Sequence, residues 1–437
     1  MADSITGSTE MKNLFIGVFA VAVGCALALQ FPATAIAKSQ ETVLHSFSGD
    51  PDGAFPRTGL IDVKGTLYGT TSGQGGGTRC AYGCGTVFAL DPGSGAVTAL
   101  YSFCNEQGCE DGEYPEGLLI DMGDKLYGTT VKGGAHDGGT VYAVDRKSGR
   151  ERVLYAFCSQ QIGYRKCADG AYPQAGLIYL NGELYGTTSE GGAFSNSGTA
   201  FALDPTTGAE TVLHSFGDSD SDGYDPAAGL INVNGMLYGT TKHGGGAYGE
   251  GTVYSLDPST GTETVLHSFG GAADADGSGP AAGLVYLNGT LYGTTIWGGT
   301  GDCFPHSTFR HMAGCGTVFA LDPSSGAETV VYSFCSHHGC KDGAYPKSSL
   351  IAKRGMLYGT TENGGTRGSC GHGCGTAFTV NPSTGAQKVL YAFCPQQNCG
   401  DGSWPEAGLI DVKGTLYGTT FKGGADGLGT VFALTKQ

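Results

Sequence analysis

Charge is scarce in this chain. Only 15% of its 437 residues are Asp, Glu, Lys or Arg, and the formal net charge is −16. An acidic surface repels phosphate backbones and anionic headgroups, so neither nucleic acid nor an acidic membrane is an expected partner. Helical periodicity is missing: no stretch repeats its apolar residues at helical spacing. The longest apolar run, Leu14 to Leu29, falls short of the ~20 residues that span a bilayer. The motifs of common catalysts are missing as well. There is no G-x-S-x-G elbow, no H-E-x-x-H, no P-loop and no carboxylate pair set by spacing. No two cysteines stand in C-x-x-C, a frequent zinc spacing.

Glycine, by contrast, is abundant, at 79 residues, without the strict triplet of a fibrous chain. It marks turns at fixed offsets within a repeat. Leu67-Tyr68-Gly69-Thr70-Thr71 recurs at 126–130, 184–188, 237–241, 291–295, 357–361 and 416–420. The copies lie 53 to 66 residues apart, so one supersecondary unit occurs seven times. Each unit holds four short stretches with strand character. In the first they are A (Thr58 to Val63), B (Gly65 to Thr71), C (Gly85 to Leu90) and D (Ala96 to Phe103). Stretch C, as in Thr86-Val87-Phe88-Ala89-Leu90, is apolar on both faces, which suits a sheet packed between neighbouring sheets. The last unit stops after its C stretch, 429–434, and an orphan D stretch, Glu41 to Phe47, opens the repeats. Pairing these two would complete a seventh sheet from both chain ends. The expected fold is therefore all-β, a single seven-bladed β-propeller over 38–437 with four antiparallel strands per blade. The D–A and B–C loops, which carry all the length variation, would share one face.

Residues 1–37 are expected to be a signal peptide, with Met11 as an alternative start. Lys12 precedes the apolar run, and Ala35-Ile36-Ala37 offers a small-x-small cleavage site. Cys25 is a candidate lipid attachment site with a weak lipobox before it. Apart from Cys25, the cysteines form seven close pairs, all in the D–A and B–C loops: Cys80/Cys84, Cys104/Cys109, Cys158/Cys167, Cys303/Cys315, Cys335/Cys340, Cys370/Cys374 and Cys394/Cys399. An even count in local pairs on an exported chain predicts disulfides. The expected location is secreted, periplasmic or at the cell surface, and the expected state is a monomer.

The unit Leu-Tyr-Gly-Thr-Thr, then Gly-Gly, then Gly-Thr-Val-Phe-Ala-Leu-Asp-Pro and a Ser/Thr-Gly turn resembles the GloVer-type choice-of-anchor tandem-repeat family of bacterial exported proteins. The resemblance covers nearly all of residues 38–437. It implies export, no established activity and, often, a C-terminal surface anchor. Leu434 to Gln437 carry no hydrophobic tail, so anchoring there is not expected.

Candidate site residues lie in the loops. Each D–A loop carries Asp-Gly and, three residues after the Gly, Pro. The Asp suits a turn cap and the Pro stiffens the loop. The residue before Pro is aromatic in five loops: Phe55, Tyr114, Tyr172, Tyr345 and Trp404. As a ring of platforms these would suit sugars; as turn residues they would be architecture. Asp218, Asp220 and Asp222 match the first half of an EF-hand loop, but Gly229 stands where the bidentate Glu belongs. Calcium is the one cofactor they suggest, against a solvated acidic turn. The repeat is broken most in the fifth unit, where Trp297, His306, Arg310 and His311 lie in the longest loop and His337 and His338 in the next. Trp297 offers an apolar plate, Arg310 a carboxylate fork, and the histidines titratable donors. An acidic or neutral sugar held there is the sharpest expectation. Three readings follow: a binding module for glycan or cell-envelope ligands, a polysaccharide lyase or hydrolase using the fifth-unit loops, or a purely structural surface protein.

Overall fold

The computed structural model describes residues 39–435, apart from loop segments at 76–79, 81–82, 105–107, 164–165, 247, 271–274, 304–312, 366–369 and 397. Seven four-stranded antiparallel sheets form the blades of a β-propeller. Blade 1 comprises strands A to D at Ile61–Val63, Thr66–Thr71, Thr86–Leu90 and Val97–Ser102. Blade 7 takes Ile410–Val412, Thr415–Thr420 and Thr430–Thr435 from one end of the repeats and Gln40–Ser46 from the other. Gln40 lies opposite Thr435 and Ser46 opposite Thr430, so the expected closure holds.

Four of the five letters of the repeated pentapeptide have a visible task. Leu67 is fully buried in the core. Gly69 leaves room for the ring on strand C: a Cβ there would lie 2.7 Å from Phe88 Cζ. Thr71 Oγ1 is 2.8 Å from Thr86 Oγ1, fixing strand B to strand C, and the same pair recurs in all seven blades. The first threonine reaches the next blade. Thr129 donates to the Ala175 carbonyl at 2.8 Å, and Thr419 donates to the Thr58 carbonyl at 3.0 Å, across the closure.

The interfaces between blades are equally regular. Each strand D ends on a buried Phe that meets the strand C aromatic of the following blade edge to face, from Phe47 on Phe88 at 5.3 Å to Phe393 on Phe432 at 4.9 Å. Two residues earlier, a Tyr or His faces the loop Asp. Tyr155 donates to Asp169 at 2.8 Å and His45 lies 2.7 Å from Asp52. His45, His214 and His267 thus take the place of tyrosines in other blades. A buried or half-buried hydrogen-bonded carboxylate at each junction fixes the loop that enters the next blade.

Three differences from the sequence reading matter. Strand A is three residues long, because Thr58 to Leu60 leave the ladder and line the central channel. Loops expected to be irregular also contain short ladders, such as Gly223–Tyr224 against His243–Gly244 and Gly277–Ser278 against Trp297–Gly298. The third correction concerns Cys167, which the sequence places in a plain loop. It lies instead in a two-residue strand, Lys166–Cys167, paired antiparallel with Gln161–Gly163 and with Gln161 opposite it. The cause is the length of this cysteine loop, the longest among the D–A pairs at a separation of nine residues. Bonding Cys167 to Cys158 brings the two arms side by side, and that leaves enough chain between them for a small hairpin. The Cys167 carbonyl then accepts from Gly192 N at 2.8 Å, so this buried residue also ties the hairpin to the B–C loop of blade 3. No helix among the described residues is long and apolar enough to cross a membrane.

Candidate ligand-binding cleft on the loop face

The residue before each loop proline sits in the left-handed backbone region, with φ of 60° at Phe55, 57° at Tyr114, 59° at Tyr172, 57° at Tyr345 and 57° at Trp404. The backbone explains why. Tyr114 donates its N–H to the Cys84 carbonyl of blade 1 at 2.9 Å and accepts from Val131 N of its own blade at 3.0 Å. This residue therefore staples neighbouring blades together, and its ring is half-buried or buried in the seam. Tyr345 packs in the core around Phe334 and Cys315, and Lys422 Nζ lies 4.9 Å above the Trp404 ring. Five aromatics that read as sugar platforms are placed as seam residues.

The same position is Asp225 in blade 4, and the aromatic has moved one residue back, to Tyr224. The other loops hold a smaller residue there, Ala54, Glu113, Ala171, Ser278, Ala344 or Ser403. Displaced from the seam, Tyr224 is 45% exposed. Its ring stacks on His243 with centroids 5.3 Å apart and planes 29° from parallel. Tyr248, 63% exposed, stands on the following B–C loop. Together with Asn196, Glu190 and Asp225 they line a cleft of about 1090 Å³ between blades 3 and 4. Asn196 donates to Glu190 at 2.8 Å and accepts from Gly191 N at 2.9 Å, so its amide is held in place. Burial raises the pKa of Asp225, and Glu190 adds to the effect while Lys242 opposes it.

Gln174 lines this cleft and also the mouth of the central channel, a cavity of about 390 Å³ walled by the strand A starts of the blades. At the mouth, Arg57 lies between two carboxylates from the blades on either side, 3.4 Å from Glu116 and 3.1 Å from Glu406, and 4.2 Å above the Phe421 ring. Burial raises the pKa of both glutamates against the opposing pull of Arg57. Lys347 is paired with Glu362 at 2.7 Å. Within the channel Leu118 stands where five other blades have glycine, and it remains 42% exposed.

The three aspartates of the half EF-hand are separated by role. Asp222 is buried and accepts from Gly217 N at 2.7 Å and Gly223 N at 2.7 Å, with His214 at 3.5 Å. Asp218 and Asp220 are exposed on the same turn. The carboxylate with the best-defined geometry is thus committed to its own loop. In blade 5, Trp297 is half-buried over Gly279, where an added Cβ would lie 2.7 Å from its ring. His337 and His338 are exposed in the next D–A loop, and His306, Arg310 and His311 lie outside the described residues.

All seven expected cysteine pairs are disulfides: Cys80–Cys84, Cys104–Cys109, Cys158–Cys167, Cys303–Cys315, Cys335–Cys340, Cys370–Cys374 and Cys394–Cys399. Their arrangement adds something that spacing does not show. Cys370, Cys374, Cys394 and Cys399 gather at one junction, and Cys303, Cys315, Cys335 and Cys340 at another. Each cluster is two adjacent disulfides, which leaves no thiolate for zinc. Three of the four loops around the blade 3–4 cleft carry no disulfide, and the fourth, which supplies Gln174, is closed by Cys158–Cys167. The cleft is not apparent in the sequence, because its residues come from four loops, the B–C loops of blades 3 and 4 and the D–A loops that enter them. One signal is readable: Gly-Tyr-Asp-Pro at 223–226 in place of Gly-small-aromatic-Pro.

The model of the Gloeobacter/Verrucomicrobia repeat matches residues 31–168, 162–309 and 306–437. No curated protein matches the chain in sequence. An oligogalacturonate lyase in complex with manganese is similar in fold, with a TM-score of 0.51 at 12% identity over 92% of this chain and 98% of that one. A putative 6-phosphogluconolactonase from Bacteroides uniformis gives 0.48 at 13% identity over 81% and 89%.

Proposed function

The chain belongs to the Gloeobacter/Verrucomicrobia repeat family, and we propose that it is an exported binding module whose ligand is a carbohydrate chain of the cell envelope or its surroundings. Seven disulfides suit an oxidising compartment outside the cytosol. One observation carries the carbohydrate reading. In a scaffold that puts the aromatics before its loop prolines into the seams, Tyr224 and Tyr248 are out in a cleft beside a fixed amide and carboxylates. Flat apolar plates with polar groups at their edges match a pyranose, which has an apolar C–H face and a rim of hydroxyls. The cleft adjoins the channel mouth through Gln174, which gives an elongated ligand a path across the face.

The test is a glycan array probed with the folded chain, followed by titration of the best oligosaccharide. Tyr224→Ala and Tyr248→Ala are each expected to weaken binding about two- to tenfold, the ~0.5–1.5 kcal/mol of a lost stacking plate. Their melting temperatures should stay near the parent's, since both side chains are exposed. Binding that survives the double variant would refute this location. The competing fifth-unit site is separated by Trp297→Ala and Arg310→Ala, which should leave affinity unchanged.

A further inference from the structure

Resting on that reading, we infer that the blade 3–4 cleft selects a cationic sugar, an oligosaccharide carrying free amino groups, over the same sugar N-acetylated or a uronic acid. The described lining residues include Glu190, Asp220, Asp222 and Asp225 but neither Lys nor Arg. Asp222 is committed to its turn, which leaves three acids beside the stacked Tyr224 and His243. Asp225 lies 3.9 Å from His243, so the acid and the plate are next to each other. An ammonium on a sugar seated on Tyr224 would come within reach of Asp225 and of the Glu190–Asn196 pair. It would replace part of the hydration that Asp225 has lost on burial.

The surrounding cations do not alter this balance. Arg57, across the channel mouth, is already held between Glu116 and Glu406, and Lys347 by Glu362. Lys242 acts on Asp225 from the neighbouring loop, and His243 flanks it; both are outnumbered by the acids. A sugar carboxylate would add an anion to a partly desolvated acidic cleft, where like charges repel more strongly than in water. Selectivity therefore comes from attraction of an amine together with rejection of an acid.

The experiment is calorimetric titration of the folded chain, near neutral pH and at two salt concentrations, with three probes. They are a β-1,4-linked glucosamine tetramer, its fully N-acetylated form and a galacturonate tetramer. The glucosamine tetramer should bind about tenfold or more tightly than the acetylated form, as a charged hydrogen bond of ~1.5–3 kcal/mol implies, and the galacturonate should not bind. Asp225→Asn and Glu190→Gln should each narrow that ratio by weakening the amine tetramer more than the acetylated one. Glu190 is exposed, so its variant keeps the test sound if Asp225→Asn fails to fold. Equal binding of amine and acetylated tetramers, both lost in Tyr224→Ala, would overturn the inference and leave the carbohydrate reading standing. Binding of the amine alone that ignores Tyr224, Asp225 and Glu190 would mean diffuse attraction to an acidic protein, and also overturns it. No binding of any probe or array glycan would overturn both.

Discussion

Glu210 opens strand D of blade 3 beside Asp169 and Tyr155, and its pKa is raised to about 8, first by burial and then by Asp169. Glu41, Glu263 and Glu328 hold the same place in blades 7, 4 and 5, each raised to about 7. In all four, Oε1 is buried without a hydrogen-bond partner, so the protonated form suits the folded state. The sign follows from linkage. A folded-state pKa above the unfolded value means the folded chain binds the proton more tightly. The resulting stability is fully present below about pH 4.5 and is lost as the pH rises through about 7 to 8. The melting temperature should accordingly fall between about pH 5 and pH 8.5. Blade 6 holds Gln387 in this position, donating to the Asp342 carbonyl at 3.0 Å, so an amide fits. Glu210→Gln should therefore raise stability above pH 8 by about 1–2 kcal/mol, after discount for partial exposure, and flatten the slope. A pH–melting profile of the variant identical to the parent's would refute it. None of this was legible in the sequence, where the D stretch reads only as a strand. The pairing with an Asp from the preceding loop needs the ring geometry. The one-residue shift from Tyr172 to Tyr224, in contrast, was on the page, and only its consequence was hidden.

At the scale of elements, the loops divide into stapled and open ones. The disulfides close loops with sequence separations of 4 to 12 residues. By chain entropy each is worth only about 2–3 kcal/mol. The blade ladders, the Phe-on-aromatic seams and the Thr71–Thr86 type pairs do not depend on them. Reduction is expected to lower the melting temperature while keeping the β-sheet signal in circular dichroism. Faster hydrogen exchange should be confined to the loops at 80–84, 104–109, 158–167, 303–315, 335–340, 370–374 and 394–399. Collapse of the whole sheet signal on reduction would contradict this, and so would mass mapping that found a long-range pair. The pairing was readable because each partner is local in the chain. The stacking of two disulfides at one junction was not, since it brings a B–C loop against the next D–A loop across a seam. Nor was the hairpin that ends at Cys167, because Gln161 to Cys167 lack the apolar alternation that marks a strand in sequence. The short strand A differs from its sequence reading for a related reason. Thr58 and Gly59 have strand-like character, but they are drawn to the channel wall by contacts with Thr70 and the Gly408 backbone.

For the molecule as a whole, closure decides whether seven blades form a ring or an open array. The sequence carried that information at its two ends, because a unit without its D strand and a D strand without its unit can satisfy each other only in a ring. The same reasoning could not show what the ring would enclose, since a channel wall is built from one short stretch of every blade. Gln40–Ser46 supplies the outer strand of blade 7, and Phe47 is fully buried against Phe88 of blade 1. Thr419 also donates to the Thr58 carbonyl across the same seam at 3.0 Å. Removing residues 39–47 would leave Thr430–Thr435 as an unpaired edge, a template for association with another chain. It would also empty a full Phe site, and Phe47→Ala alone should cost about 3–5 kcal/mol. The truncated protein is expected to melt well below the parent and to self-associate in sedimentation. A synthetic peptide of 39–47 added in excess should restore the parent's sedimentation by refilling the edge. A truncated chain that melted and sedimented like the parent would mean that the seam between blades 7 and 1 is held by other means, and the closure would not be what stabilises the ring.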